Sequence, residues 1–114
     1  MNKLLLGIIC FFIGQIIVWF ITNAQFFNKW AANHPWFMAI VLSGPTTYLF
    51  LIGTKYIAGH FDGQLWPGRF IGFGLGTVAF AILTYVIMDE SINEKTFVSI
   101  LLASTLVTLQ IFWK

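Results

Sequence analysis

Residues 4–27 read LLLGIICFFIGQIIVWFITNAQFF and contain no charged side chain. An α-helix needs about 20 predominantly apolar residues to cross the roughly 30 Å hydrocarbon core of a bilayer, so this stretch is long enough for one crossing. It is also longer than the apolar region of a secretory signal peptide, which has about 7–15 residues, and no A-x-A cleavage pattern follows it. The sequence therefore predicts a first membrane helix that is retained in the mature protein.

Three more apolar stretches follow, at 34–54, 70–88 and 96–113, and the charged residues lie at their ends or between them. Backbone amides in lipid must be paired within their own helix or in a closed barrel, and none of these stretches shows the alternation of a barrel strand. Short connections make consecutive helices antiparallel neighbours. The predicted fold is all-α, a four-transmembrane-helix antiparallel bundle forming one integral membrane domain over residues 1–114.

The overall composition favours the same interpretation. The chain has 114 residues, of which 59% are apolar and 9% charged, whereas a soluble domain is nearer about half apolar and a quarter charged. A net charge of +2 without a basic cluster argues against a nucleic-acid partner. The single cysteine, Cys10, excludes an intrachain disulfide and any CxxC motif. The partner that the composition predicts is the lipid bilayer.

The distribution of basic residues predicts the orientation of the helices. Four of the six basic residues fall on the side that carries both termini, namely Lys3, Lys55, Arg69 and Lys114. The opposite side holds Lys29 and Lys95. Because Lys and Arg are enriched in cytoplasmic connections, both termini are predicted to be cytoplasmic, in a bacterial-type inner (plasma) membrane.

A polar and aromatic stripe runs along the first helix, where Gln15, Trp19 and Asn23 recur every four residues. Polar groups inside a membrane face protein or water, because an unpaired polar group in lipid is costly. The stripe is either the wall of a substrate cavity, with Trp19 as a stacking platform, or a set of interhelical hydrogen bonds. In the first interpretation Tyr48 and Tyr85 complete the substrate-binding set with their hydroxyl groups.

The second helix is interrupted near its centre by Ser43-Gly44-Pro45-Thr46-Thr47. Pro45 lacks a backbone N–H and clashes with the preceding turn, so a kink is expected near 42–44. Broken helices at mid-bilayer often line transporter sites, although a purely structural kink is equally compatible with this pattern.

The third helix carries three glycines at four-residue spacing, Gly68, Gly72 and Gly76, with Gly74 between them. Residues four apart share one helix face, and a face without side chains lets another helix approach closely. The face is either a helix-packing surface within the chain or the seam of a homodimer, where two packings could slide past each other.

Nothing in the sequence indicates an enzyme. The motifs HExxH and GxSxG, a phosphate-binding loop and a pair of carboxylates within the apolar stretches are all missing. His34 and His60 fall on opposite sides of the predicted membrane and cannot together ligate a haem or a metal. We therefore expect no catalytic residues, no metal site and no cofactor.

Two stretches resemble small four-helix members of the drug/metabolite transporter superfamily. Gly72-Phe73-Gly74-Leu75-Gly76-Thr77 resembles the glycine-rich dimer hinge of small multidrug resistance proteins. The segment 87–93, IMDESIN, resembles their GE-x-L turn before the last helix, with Glu90 at the acidic position and Ile92 at the apolar one. The helix spacing also resembles a related uncharacterised four-helix family.

The resemblance implies a transport-like scaffold that forms parallel or antiparallel dimers. Small multidrug resistance proteins carry a glutamate in the first helix that binds cation and proton, and the nearest position here is Gln15. An amide does not titrate, so the resemblance does not extend to proton-coupled export of cations.

Three functional hypotheses follow. The first is a transporter-like homodimer that binds or moves a neutral or amphiphilic small solute. The second is a non-catalytic accessory subunit that stabilises a larger membrane complex, to which 13 Phe and 5 Trp side chains would offer contacts. The third is a lysis or pore-forming protein, which would need a longer hydrated stripe than the first helix provides.

Overall fold

The structure, a computed structural model, describes residues 2–113, and these residues form helices joined by short turns with no β-strand among them. Four helical stretches are long and apolar enough to cross a membrane: Lys3–Phe26, Pro35–His60, Trp66–Met88 and Glu94–Phe112. The predicted all-helical fold with four long apolar helices is therefore confirmed. Lys114, one of the four basic residues assigned to the terminal side, lies outside the described residues.

Helix α1 spans Lys3–Asn23 and is capped at its start by Asn2, whose side-chain oxygen accepts a hydrogen bond from the Leu4 amide at 2.7 Å. A 3₁₀ turn over Ala24–Phe26 follows. This turn accounts for the apolar residues that the sequence assigned to the end of the first helix. Helix α2, Lys29–Asn33, is a short segment of the connection to the second span.

The second span consists of two helices, α3 (Pro35–Val41) and α4 (Ser43–His60), which meet at Leu42. The interruption lies three residues before Pro45, which has no N–H to donate into the preceding turn. Leu42 keeps helical backbone angles, φ −81° and ψ −23°, so the interruption bends the span without reversing it. The hydroxyl of Thr46 donates to the Leu42 carbonyl at 2.8 Å.

The connection between the second and third spans is shorter than the sequence predicts. Helix α4 continues to His60, beyond the predicted end at residue 54, and α5 (Trp66–Met88) begins before the predicted start at residue 70. The prediction ended the helices at the charged residues Lys55 and Arg69. A helix can nevertheless continue through a Lys or Arg, because these side chains reach toward water while the backbone stays helical.

The last two spans are joined by the short non-helical segment 89–93. Helix α5 ends at Met88 and is capped by Asp89, which has left-handed backbone angles (φ 55°, ψ 31°) and whose N–H donates to the Thr84 carbonyl. Helix α6 spans Glu94–Phe112 and is capped by the Asn93 side chain, which accepts from the Thr96 amide at 2.8 Å.

Helix α1 is central to the packing. It packs against α4 and against α5, whereas α4 and α5 contact each other little, and α6 packs against α5. The buried core contains one residue from each of α1, α4 and α5: Phe11, Ile57 and Ile71. Because α1 separates α4 from α5 along much of their length, a gap remains between these two helices beside α1.

Candidate functional site

A cavity of about 490 Å³ lies between α1, α4 and α5, and we call it the inter-helix cavity. Its aromatic lining residues are Phe11, Phe50 and Phe73, and its polar ones are Gln15, Thr54 and Arg69. Leu65, Gly68 and Gly72 complete the lining. Small-molecule sites are typically clefts of about 300–1,000 Å³ with mostly apolar walls and a few polar groups, so the size and lining suit a small ligand.

Gln15 forms the polar part of the wall that α1 contributes. Its side-chain amide nitrogen donates to the Gly72 carbonyl of α5 at 3.4 Å. A Cβ atom at Gly76 would lie 2.8 Å from the Gln15 side-chain oxygen, so the missing side chain at this glycine leaves room for the amide. Gln15 therefore links α1 to α5 and faces the cavity at the same time.

The three glycines at four-residue spacing face helices of the same chain. A Cβ at Gly68 would lie 3.6 Å from Ile57, and one at Gly72 would lie 3.4 Å from Phe11. Together with the contact of Gly76 with Gln15, this places α1 and α4 over the face formed by the three glycines. In this arrangement, the lack of side chains at Gly68 and Gly72 also leaves open space that becomes part of the cavity.

Gly74 lies on another face of α5 and contacts α6. A Cβ atom at this position would overlap the Val107 side chain and would lie 2.7 Å from the Ala103 carbonyl oxygen. The glycine-rich segment of α5 therefore serves two neighbours, with α1 on one side and α6 on the other.

Trp19 lies outside the inter-helix cavity and is almost completely buried, with 2% of its surface exposed. Its indole N–H donates to the Thr84 hydroxyl of α5 at 2.9 Å, so it joins α1 to α5. Its ring also stacks on Phe27, with the ring centroids 6.1 Å apart. Asn23 donates from its side-chain amide to the Trp19 carbonyl of its own helix at 3.0 Å.

Tyr48 and Tyr85 are exposed, by 63% and 54%, and neither lines the cavity. Helical geometry explains Tyr48, because it precedes Phe50 by two residues, about 200° around the helix, and Phe50 faces the cavity. Of the five residues predicted to bind substrate, the structure brings only Gln15 to this cavity. Trp19, Asn23 and the two tyrosines lie elsewhere.

The sequence did not point to several residues of the cavity, among them Phe11, Thr54 and Arg69. Phe11 could have been found, since it lies four residues before Gln15 and so shares its helix face. For Arg69, the sequence predicts only a contribution to the orientation in the membrane. Its role as a lining residue depends on the gap between α4 and α5, for which the sequence carries no local signal.

A smaller crevice of about 140 Å³ lies between α5 and α6, and its lining includes apolar residues, Glu90 and several hydroxyl side chains. The hydroxyl of Thr77 donates to the Phe73 carbonyl and that of Ser99 to the Lys95 carbonyl. These hydroxyls are thus bonded within their own helices, as is common for Ser and Thr in membrane helices.

The inter-helix cavity offers stacking surfaces, an amide, a hydroxyl and a guanidinium group, which are groups for binding a molecule. Within residues 2–113 no group of three or more His, Cys, Asp or Glu side chains is placed to hold a metal ion. No protein-family model, curated protein or solved structure matches this chain.

Proposed function

We propose that this chain is a small integral membrane protein with a transporter-like scaffold, which binds or moves a neutral or amphiphilic small solute. The inter-helix cavity is the single observation that carries the proposal. Its volume of about 490 Å³ and its aromatic walls suit such a solute. Gln15 lines the cavity and is the member of the predicted binding set that remains in the proposed site. The resemblance to small four-helix drug/metabolite transporters agrees with this function.

In the proposed arrangement the four spans cross the bilayer as an antiparallel bundle with both termini in the cytoplasm. The pairing of α1 with α4 supports this, because Gly7 lies against Ile57 and Gly14 against Phe50, so the two helices run in opposite directions. Phe11 lies beside Gly72 and Trp19 bonds to Thr84, which gives α1 and α5 the same direction, as expected for the first and third of four alternating spans.

The proposed oligomer is a homodimer that associates through α6. The glycine face of α5 is covered by α1 and α4 of the same chain, so the dimer needs another surface. In α6 only Ala103 is buried, and the main packing partner of this helix is α5. The same uncovered surface supports the alternative of an accessory subunit, in which α6 would contact an unrelated chain.

The solute proposal is tested by filling the cavity. Thr54 is an exposed residue of its wall on α4, and Thr47 is exposed about two turns earlier on the same helix, outside the lining. With the protein in phosphatidylcholine nanodiscs, the neutral fluorophore Nile red should bind the wild type, bind Thr54→Trp about tenfold more weakly, and bind Thr47→Trp normally. Equal binding by all three proteins would show that Nile red does not occupy this cavity and would refute the proposal.

The oligomer is tested on the same preparation. Light scattering should give the mass of two copies of the chain in a mild detergent. A stable complex with unrelated chains, recovered from the native membrane, would instead favour the accessory-subunit alternative.

A further inference from the structure

The inter-helix cavity has a positively charged mouth. Arg69 lies in the first turns of α5 and is exposed, and it is the charged member of the described residues that line the cavity. Leu65 and Thr54 also line the cavity and are exposed, so the cavity opens to the outside. A guanidinium group presents five N–H donors in a planar fork that matches the oxygens of a carboxylate or a phosphate.

The deeper part of the cavity is apolar. Phe11 is buried, Phe50 is half-buried and Phe73 is exposed, so this apolar part is open along the side on which Phe73 lies. From Leu65 to Phe73 the axis of α5 rises by roughly 12 Å at 1.5 Å per residue. The cavity therefore has a charged end and an apolar section. The apolar section is about as long as a short hydrocarbon chain.

The polar group at the inner end, the side-chain amide of Gln15, is uncharged and is linked to α5. The Gln15 amide nitrogen is bonded to the Gly72 carbonyl, and its oxygen lies in the space beside Gly76. Within residues 2–113 no buried side-chain nitrogen or oxygen is without a hydrogen-bond partner. The charge that calls for a partner from a ligand is thus at the mouth, on Arg69.

Charge and volume together restrict the class of ligand. Among the described residues no carboxylate lines the cavity, so a cationic head would find no ion-pair partner there and would be repelled by Arg69. A volume of about 490 Å³ lies in the lower half of the usual range for small-molecule sites, which suits one hydrocarbon chain better than the two of a phospholipid.

We propose that the ligand of this cavity is a single-chain amphiphile with an anionic head, such as a fatty-acid carboxylate. The head forms a charge-assisted pair with Arg69, and the chain lies along Phe50 and Phe11 toward Gln15. This inference rests on the proposed function, because it names the class of solute for the same cavity.

The test uses the protein in phosphatidylcholine nanodiscs with dansyl-undecanoate as fluorescent probe. Dodecanoate should displace the probe, whereas dodecanol should do so weakly and dodecyltrimethylammonium least. Arg69→Gln should weaken dodecanoate binding about three- to fivefold, because an exposed charge-assisted pair is lost, and Arg69→Lys should weaken it less. Lys55→Gln removes a cation at the same end of the molecule, outside the cavity lining, and should change the affinity less than about twofold.

The outcomes separate this inference from the function on which it rests. If Arg69→Gln binds dodecanoate as tightly as the wild type, or if dodecyltrimethylammonium displaces the probe best, the anionic head is refuted. Nile red binding that depends on Thr54 would then still support the solute proposal. If phosphatidylglycerol incorporated into the protein's own nanodiscs displaces the probe but dodecanoate does not, the single-chain ligand is refuted in favour of a membrane lipid. Circular dichroism of Arg69→Gln checks that the variant keeps its helix content.

Discussion

Adding one methyl group at Gly74 tests how closely α5 and α6 approach each other. In the structure a Cβ at this position would overlap the Val107 side chain and lie 2.7 Å from the Ala103 carbonyl oxygen. The second contact is with backbone, and it falls about 0.7 Å short of the 3.4 Å at which ordinary contacts begin. A rotamer change of Val107 cannot relieve the contact with the Ala103 carbonyl, so Gly74→Ala must push α6 away from α5.

The expected cost follows from overpacking. Extra methyl groups in a well-packed site typically cost about 1–3 kcal/mol, and we expect the upper half of that range because the backbone of α6 has to move. Gly68→Ala is the matched control on the same helix, since its Cβ would lie at an ordinary 3.6 Å from Ile57. Gly68 lies in the first turn of α5 and Gly74 in its interior, so alanine gains at least as much helix propensity at Gly74. A lower stability of Gly74→Ala would therefore come from the contact of α5 with α6.

The measurement is the free energy of unfolding in mixed micelles, with sodium dodecyl sulfate as denaturant and far-ultraviolet circular dichroism as signal. Gly74→Ala should be less stable than Gly68→Ala by about 2 kcal/mol. Adding Val107→Ala to Gly74→Ala should restore only part of this loss, because the contact with the Ala103 carbonyl remains. Equal stability of the two single variants would refute the described packing of α6 on α5.

Three further predictions concern other contacts of α1 and α4. Trp19 and Thr84 share one interhelical hydrogen bond. In a double-mutant cycle, Trp19→Phe and Thr84→Val should therefore show a coupling energy of about 0.6–1.7 kcal/mol in the same unfolding assay. Additive effects of the two substitutions would contradict that bond. Thr46→Val should lower the unfolding free energy by about 1 kcal/mol through loss of the hydroxyl bond at the helix interruption, whereas Thr47→Val, at an exposed position, should lower it less. Gln15→Ala should lengthen the cavity. In the probe-displacement assay with dodecanoate, tetradecanoate and hexadecanoate, this variant should then prefer a longer fatty acid than the wild type does. An unchanged preference would mean that the hydrocarbon chain of the ligand does not reach Gln15.

The local character of the chain was predictable from its sequence. The four apolar stretches predicted four helices because hydropathy and length are properties of each segment by itself. The interruption of the second span was also expected close to where it lies, since the missing N–H of Pro45 acts within its own helix. The second helix was predicted to end too early, before Lys55, and the third to begin too late, after Arg69, because a charged side chain can leave the apolar region while its backbone remains helical.

The tertiary structure decided which helix covers which face. Periodicity grouped Gly68, Gly72 and Gly76 on one face, but only the structure shows α1 and α4 covering that face and α6 contacting Gly74. It also separates Gln15, in the cavity, from Trp19, which bonds to Thr84. In a soluble helix an apolar stripe marks the side that meets the core. When lipid-facing and protein-facing sides are both apolar, that signal is lost, and only the packing of the helices distinguishes a binding surface from a surface in contact with lipid.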